Sequence, residues 1–249
     1  MKSADASSIL EDFSCFHVHE TASTMLVARD YAQNIKQGVI YADSQTAGRG
    51  RLAGRTWYCN PGEGLLATFW SPCEYFKDCP PALVTGAVVL LALTKLIPPA
   101  KLEQHPLQLK WPNDILVKNS KLAGILCEKS GDTLFSGIGI NLSQKSFAGT
   151  YRTPPTSVLL AYQHTIHQET MLTAVIESFA KLLANPHLWK SIAENHCAYK
   201  NEAITFKRGS DSGPHITGIL KGIDDAGFLI IETEQETLHE ASGELCINY

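Results

Sequence analysis

Residues 13–19 (FSCFHVH) alternate apolar and polar positions with the two-residue period of a strand, setting Phe16 and Val18 on one face and Cys15, His17 and His19 on the other. From about Ser23 to Lys36 the pattern lengthens. Met25, Leu26, Ala28, Ala32 and Ile35 fall at near-helical spacing, with Gly38 as the expected stop. VIYAD (39–43) and GLLATFW (64–70) read as strands, and Ala82 to Ile97 reads as a buried helix ended by Pro98-Pro99. Four short runs, 107–111, 114–118, 121–128 and 132–140, are separated by Pro112-Asn113, Asn119-Ser120 and Gly131-Asp132, which predicts an antiparallel meander. An apolar stripe over 168–185 predicts one helix, and a second follows near 188–198.

After Tyr199 the pattern changes to five short strand-like runs, AITF, HITGIL, GFLIIE, ETLHE and ELCI, punctuated by Gly and Asp turns. The expected organisation is therefore an α+β domain over residues 1–199 and a small β-barrel over 200–249.

Composition narrows the class. The 249 residues are 44% hydrophobic and 18% charged, a globular profile. With 21 Lys plus Arg against 25 Asp plus Glu, the net charge is -4, which speaks against non-specific nucleic-acid binding. The 16-residue apolar run contains Thr85, Thr94 and Lys95 and is short for a membrane span. The N-terminus carries acids and no apolar signal segment. Seven cysteines without a CxxC pair suggest neither a disulfide framework nor a zinc ribbon, and point to reduced thiols in a cytoplasm. Cys15, His17 and His19 could mimic metal ligands, but with Phe16 and Val18 opposite them the reading is an ordinary edge strand without metal.

Four segments carry chemistry. Gln45 to Gly64 holds five of the 18 glycines, and within it Gly48-Arg49-Gly50-Arg51-Leu52-Ala53-Gly54-Arg55-Thr56-Trp57 concentrates three arginines and no acid. Arginine forks suit carboxylate and phosphate, glycine admits close backbone approach, and Trp57 offers a flat face to an aromatic base. On these residues alone a solvated basic loop remains an equal alternative, and the Gly-Lys-Ser/Thr phosphate loop is absent. In Lys110-Trp111-Pro112-Asn113-Asp114 the proline marks a strand end that projects Asn113 and Asp114 at the lip of a sheet. There Asn113 could read a base or phosphate edge and Asp114 could hold Mg2+ or a substrate lysine; a plain turn is the alternative. Lys121 opens a strand in which Ala123 and Gly124 leave space above the sheet, and Gly137-Ile138-Gly139-Ile140-Asn141 is an apolar strand with two glycines ending in an amide.

The order of these motifs, GRGR…W, KWPND, KLAGI and GIGIN, resembles the biotin–protein ligase family over about residues 20–141. Gly222-Ile223-Asp224 and Ser242-Gly243-Glu244 extend the resemblance more weakly into that family's SH3-like C-terminal domain. The resemblance implies a class II synthetase-like catalytic domain with a central mixed sheet. It implies an enzyme that activates biotin with MgATP to biotinyl-5′-AMP, then transfers biotin to one lysine of a biotin carboxyl carrier domain. It also implies site roles. Lys121 and Arg51 neutralise the biotin carboxylate and α-phosphate, and Asp114 assists the incoming lysine. Ser23, Thr24 and Gln45 bind the ureido ring, with Gly48, Arg49, Gly50 and Gly124 lining that pocket. Arg55, Trp57, Asn113 and Asn141 join Arg49, Arg51 and Lys121 around the adenylate.

Three departures stand out: Met25 follows Ser23-Thr24 where the family usually has Asn, Ala53 adds a residue to the loop before Arg55, and Lys221 replaces an Arg before the GID turn. Only 22 residues precede Ser23, too few for a winged-helix DNA-binding domain, so the expectation is a monofunctional ligase without DNA or membrane partners. Lipoate–protein ligase and a non-catalytic carrier-binding module are the alternatives. Homodimer formation is left open.

Overall fold

In a computed structural model, residues 13–52, 54–209 and 213–246 are described. The sequence alternates strands and helices as far as residue 195 and is all strand thereafter. Strands β1 (Ser14–Thr21), β2 (Gly38–Gln45), β3 (Gly64–Pro72), β4 (Gln108–Lys110), β5 (Asp114–Val117), β6 (Ser120–Ser130) and β7 (Thr133–Asn141) form one sheet in the order β1-β2-β3-β7-β6-β5-β4. β1 pairs with β2 in parallel and the remaining neighbours are antiparallel, so the sheet is mixed and 107–141 is the expected meander.

Helix α1 (Thr24–Tyr31) covers one face of the β1 end. Its apolar residues Met25 and Ala28 pack with Ile40, Trp70 and Phe135 in a separate small core, joined by Phe16 and Val18. The expected helix ran on to Lys36, but the chain leaves the helix at Ala32. Ile35 nevertheless packs in the same core from a turn, and its carbonyl accepts from Trp70 Nε1 at 2.9 Å. Gly38 is not a helix stop; it opens β2, where a Cβ would lie 2.5 Å from the Ser14 carbonyl.

Helix α2 (Pro81–Leu96) is apolar on nearly every side, and it is buried nearly all round, as such a sequence requires. Short helices α3 (Pro99–Gln104) and α4 (Val158–Tyr162) follow it in the chain, and it lies between the other face of the sheet and helices α5 (Gln168–Ala184) and α6 (Leu188–Asn195). The Gln168 carboxamide fixes α5 to the sheet by donating to the carbonyls of Ala42 and Gly64 at 2.9 and 3.1 Å.

Strands β8 (Ala203–Arg208), β9 (His215–Ile223), β10 (Leu229–Glu232), β11 (Thr237–Glu240) and β12 (Gly243–Cys246) form a second, wholly antiparallel sheet in the order β11-β10-β9-β8-β12, in keeping with an SH3-like unit. Phe206, Leu220, Ile223, Leu229 and Leu245 belong to the same buried cluster as α2 and the large sheet. Two polar ties reinforce the junction: Trp111 Nε1 donates to the Gly227 carbonyl at 2.9 Å, and Ile223 N donates to Glu194 Oε1 at 2.8 Å. All seven cysteines are free thiols. Among the described residues no helix is long and apolar enough to cross a membrane.

Candidate active site

The small-core face of the large sheet opens into a cavity of about 520 Å³. One end is neutral and hydrogen-bonding. Ser23 caps α1, its hydroxyl accepting from Met25 N at 3.3 Å. Gln45, the last residue of β2, is drawn alongside by the parallel register of Thr21 with Gln45. Its Oε1 accepts from Thr24 N at 2.8 Å and from Thr24 Oγ1 at 3.1 Å. Thr24 Oγ1 also meets Thr68 Oγ1 at 2.8 Å. Ser23, Thr24 and Thr68 are buried, so this is a pre-arranged polar patch shielded from water. Met25 lines the same end.

The other end is positive. Six cations, Arg49, Arg51, Arg55, Lys110, Lys121 and Arg152, line the cavity against two carboxylates, Asp114 and Glu244. That is an excess of four positive charges in a chain of net charge -4. The arginines come from a tight hairpin. Gly50 N donates to Arg55 O at 2.8 Å, and Trp57 N donates to Gly48 O at 2.9 Å. A Cβ on Gly48 would lie 2.4 Å from the Trp57 carbonyl, so Gly48 serves the hairpin and does not line the cavity. Ala53, the added residue of the loop, lies outside the described residues.

Carboxylates from elsewhere hold this loop. Arg55 Nη2 donates to both oxygens of Glu244 at 2.9 and 2.8 Å, Arg152 Nη1 joins at 2.6 Å, and Arg51 Nη2 donates to the Gly243 carbonyl at 2.9 Å. The second sheet thus reaches the cavity through β12. Arg49 lies 3.7 Å from Glu128, which also pairs with Arg29 at 2.7 Å. Burial lowers the Arg51 pKa; Glu244 and Asp114 oppose that shift and neighbouring Arg55 adds to it. A guanidinium stays charged regardless. The physical consequence is a poorly hydrated cation that gains by meeting an anion.

Lys121 projects from β6 to within 2.7 Å of Asp114 Oδ1 and lies 5.5 Å from the centre of the Trp57 ring. The missing side chain of Gly124 makes this possible, since a Cβ there would stand 3.1 Å from Lys121 Nζ and 2.8 Å from Trp57. Ala123, by strand alternation, faces the opposite side and is buried in the main core, contrary to its expected place beside Gly124. Trp57 lies across β6 and β7: a Cβ on Gly139 would meet its ring at 2.4 Å. Trp57 Nε1 and Asp114 Oδ1 are buried without a hydrogen-bond partner, two unmet polar groups in the cavity wall. For Asp114 this sits beside the 2.7 Å ion pair, which supplies charge but not hydrogen-bond alignment.

Asn113 lines the cavity, but its amide donates to the Ile125 carbonyl at 2.7 Å and locks the Pro112 turn to β6. Asn141 does not line it. It is buried behind the wall, with its amide donating to the Thr156 carbonyl at 2.9 Å.

The model of the Biotin/lipoate A/B protein ligase family matches residues 17–144, which hold every one of these cavity groups except Arg152 and Glu244. The chain belongs to this family. The Biotin protein ligase C terminal domain matches residues 201–244. The biotin--[acetyl-CoA-carboxylase] ligase of Paracoccus denitrificans is 31% identical over 210 residues, which are 77% of this chain and 82% of the relative. The bifunctional ligase/repressor BirA of Bacillus subtilis is 30% identical over 227 residues, 86% of this chain and 68% of the relative. Among solved structures, a biotin protein ligase from Aquifex aeolicus in complex with biotin and ATP superposes with a TM-score of 0.77 at 28% identity, covering 93% of this chain and 97% of that one.

Thr68, Lys110, Arg152 and Glu244 line the cavity of this biotin/lipoate ligase family member without having been assigned to it from the sequence. Thr68 is the lone hydroxyl in the apolar run GLLATFW, and that oddity was its signal. Lys110 sits inside the KWPND motif and is buried, donating to Thr153 Oγ1 at 3.3 Å. Arg152 lies in an irregular stretch with no local pattern. Glu244 reaches the cavity only because the two sheets pack together.

Proposed function

We propose that the chain is an ATP-dependent biotin–protein ligase. It joins biotin to ATP as biotinyl-5′-AMP, then transfers biotin to a lysine of a biotin carboxyl carrier domain, in a reducing cytoplasm. The observation that carries this reading is the pairing of a buried neutral polar patch with a strongly positive patch in one cavity. A ureido ring fits the first because it both donates and accepts. Ser23, Thr24, Gln45 and Thr68 are already held in place by bonds among themselves and to the backbone, and their remaining donor and acceptor capacity faces the cavity. A dithiolane ring offers no such bonds, so lipoate is disfavoured on the same ground. The match of residues 201–244 to a biotin protein ligase C-terminal domain supports the same choice. We place the division between the catalytic and C-terminal units at 199/200, beside the left-handed turn residues Tyr199 and Asn201.

In the first step a biotin carboxylate oxygen bonds to the α-phosphorus, and the bond from that phosphorus to the departing pyrophosphate breaks. Two anions must meet. Lys121 and Arg51 lower that repulsion from fixed positions, which costs no reorganisation in the transition state. Arg49, Arg55 and Arg152 hold the phosphates once they exchange Glu128 and Glu244 for them. Trp57, already packed against Gly139 and Gly124, offers its exposed face to adenine. Asn113 in the wall and Asn141 behind it act as positioning residues. In the second step the carrier lysine amine attacks the acyl carbon and AMP leaves. Asp114, ion-paired with Lys121, receives the amine proton.

Mg2+ arrives with the nucleotide as part of the substrate. The wall's carboxylates are few and already ion-paired, which suits an ion held mainly by phosphate oxygens and water. Incubation with biotin, MgATP and a carrier domain should add one biotin mass to a single lysine. Transfer of lipoate instead, or no modification, contradicts the proposal.

A further inference from the structure

The outer face of the sheet edge carries a cluster that the ligase reading does not use. β1 is an edge strand, and His17 and His19 stand two residues apart on it. The parallel neighbour β2 adds Asp43, the residue between the register pairs Val18–Ala42 and Glu20–Ser44. His17 Nε2 lies 2.8 Å from Asp43 Oδ1, and His19 Nδ1 lies 2.9 Å from Oδ2. One donor atom from each of the three residues falls within 4.8 Å of the others. We propose that His17, His19 and Asp43 form a surface site for a borderline divalent transition ion such as Zn2+, bridging β1 to β2.

The donor set supports this choice. Two imidazoles and one carboxylate suit Zn2+ and its neighbours over Mg2+ or Ca2+, which prefer all-oxygen shells. Ligand bonds of about 2.0–2.2 Å around a tetrahedral ion place donor atoms a little over 3 Å apart, so each His–Asp pair needs to open by about half an ångström, and the three donor atoms already lie within 4.8 Å of one another. His17 is held by its stacking on Tyr41, 4.6 Å between ring centres, and Asp43 by its place in β2, so two of the three ligands are already oriented. The His19 side chain is 92% exposed, which leaves the fourth position open to water. The sequence alone had grouped the two histidines with Cys15. Parallel pairing supplies the oxygen ligand that reading lacked. The same two strands end at Thr21 and Gln45, so an ion here ties together the strands that deliver Ser23, Thr24 and Gln45 to the cavity.

The test is calorimetric titration of the full, chelator-treated chain with Zn2+, alone and as the variants His19→Gln, Asp43→Asn and Cys15→Ala. The expected result is one ion per chain, affinity at least tenfold weaker in His19→Gln and Asp43→Asn, and affinity unchanged in Cys15→Ala. His19→Gln alters an exposed side chain and keeps the test valid if Asp43→Asn misfolds. Co2+ in place of Zn2+ should give tetrahedral visible bands that disappear in His19→Gln. Absence of one-to-one binding, or equal affinity in His19→Gln and the wild type, overturns the proposal. Biotin-dependent exchange of pyrophosphate into ATP by His19→Gln at the wild-type rate keeps this outcome separate from that of the ligase reading.

Discussion

Gly139→Ala is a single-methyl probe of the adenylate platform. Gly139 lies in β7, and its backbone is not left-handed, so alanine is tolerated locally. The added Cβ, however, would stand 2.4 Å from Trp57 Cε2 and 2.7 Å from Cζ2 and Nε1. Carbon atoms pack at about 3.5–4.0 Å, so the ring must retreat by about 1 Å. Trp57 belongs to a loop, which can yield where β7 cannot. The predicted outcome is a fold of nearly unchanged melting temperature and a site whose platform is displaced. A misplacement of about 1 Å costs on the order of 10²-fold in rate where positioning matters. Steady-state kinetics should therefore show kcat/KM for ATP falling about 10²-fold, with KM for biotin changed less than about threefold. Adding Trp57→Phe, a smaller ring, should recover part of the loss, giving a non-additive cycle. A kcat/KM for ATP within twofold of wild type in Gly139→Ala, or strictly additive losses in the double variant, would refute this account of the two residues.

Gln45→Leu removes the acceptor of Thr24 N and Oγ1, so KM for biotin should rise at least about tenfold while KM for ATP holds; equal changes in both would contradict the polar patch as the biotin end. Trp111→Phe keeps an aromatic ring but loses the pyrrole part of the buried indole and its 2.9 Å bond to Gly227 O, and urea unfolding should show a loss of at least about 1–3 kcal/mol. Glu194 ties α6 to β9. Burial works to raise its pKa, but hydrogen bonds from Lys200 and Ile223 N prevail and lower it. With the folded value below the unfolded one, its contribution is full above the ordinary glutamate pKa of about 4.3 and is lost as pH falls through the folded value. Glu194→Gln should therefore be less stable than wild type at pH 6, with the gap closing toward pH 3; a gap that stays constant would exclude the linkage.

Much of this architecture is legible along the chain because its periodicities are clean. The meander from 107 to 141 alternates between turn residues, and α2 is too uniformly apolar to be anything but buried. The overlong α1 has a specific cause. Ile35 is apolar at helical spacing, yet it enters the small core from a turn, and spacing cannot distinguish the two routes. The glycine-arginine loop and Lys121 are legible as motifs because close approach and charge demand those residue types. The place of Glu244 and Arg152 in the cavity is not legible, although Glu244 stands in a motif, because it arises from the packing of a distant sheet against the cavity mouth. Asn141 shows the reverse limit: a motif residue whose amide serves the Thr156 backbone, behind the wall. Asp43 joins His17 and His19 only through parallel pairing, which no local pattern encodes.

The most direct measurement is exchange of labelled pyrophosphate into ATP by the intact chain, run with biotin, with lipoate and with neither, alongside Lys121→Ala. Exchange that requires biotin, and that falls at least about 10²-fold in a folded Lys121→Ala variant, is the predicted result. Exchange supported only by lipoate, or biotin-dependent exchange that survives the loss of Lys121, would contradict the assignment of this cavity.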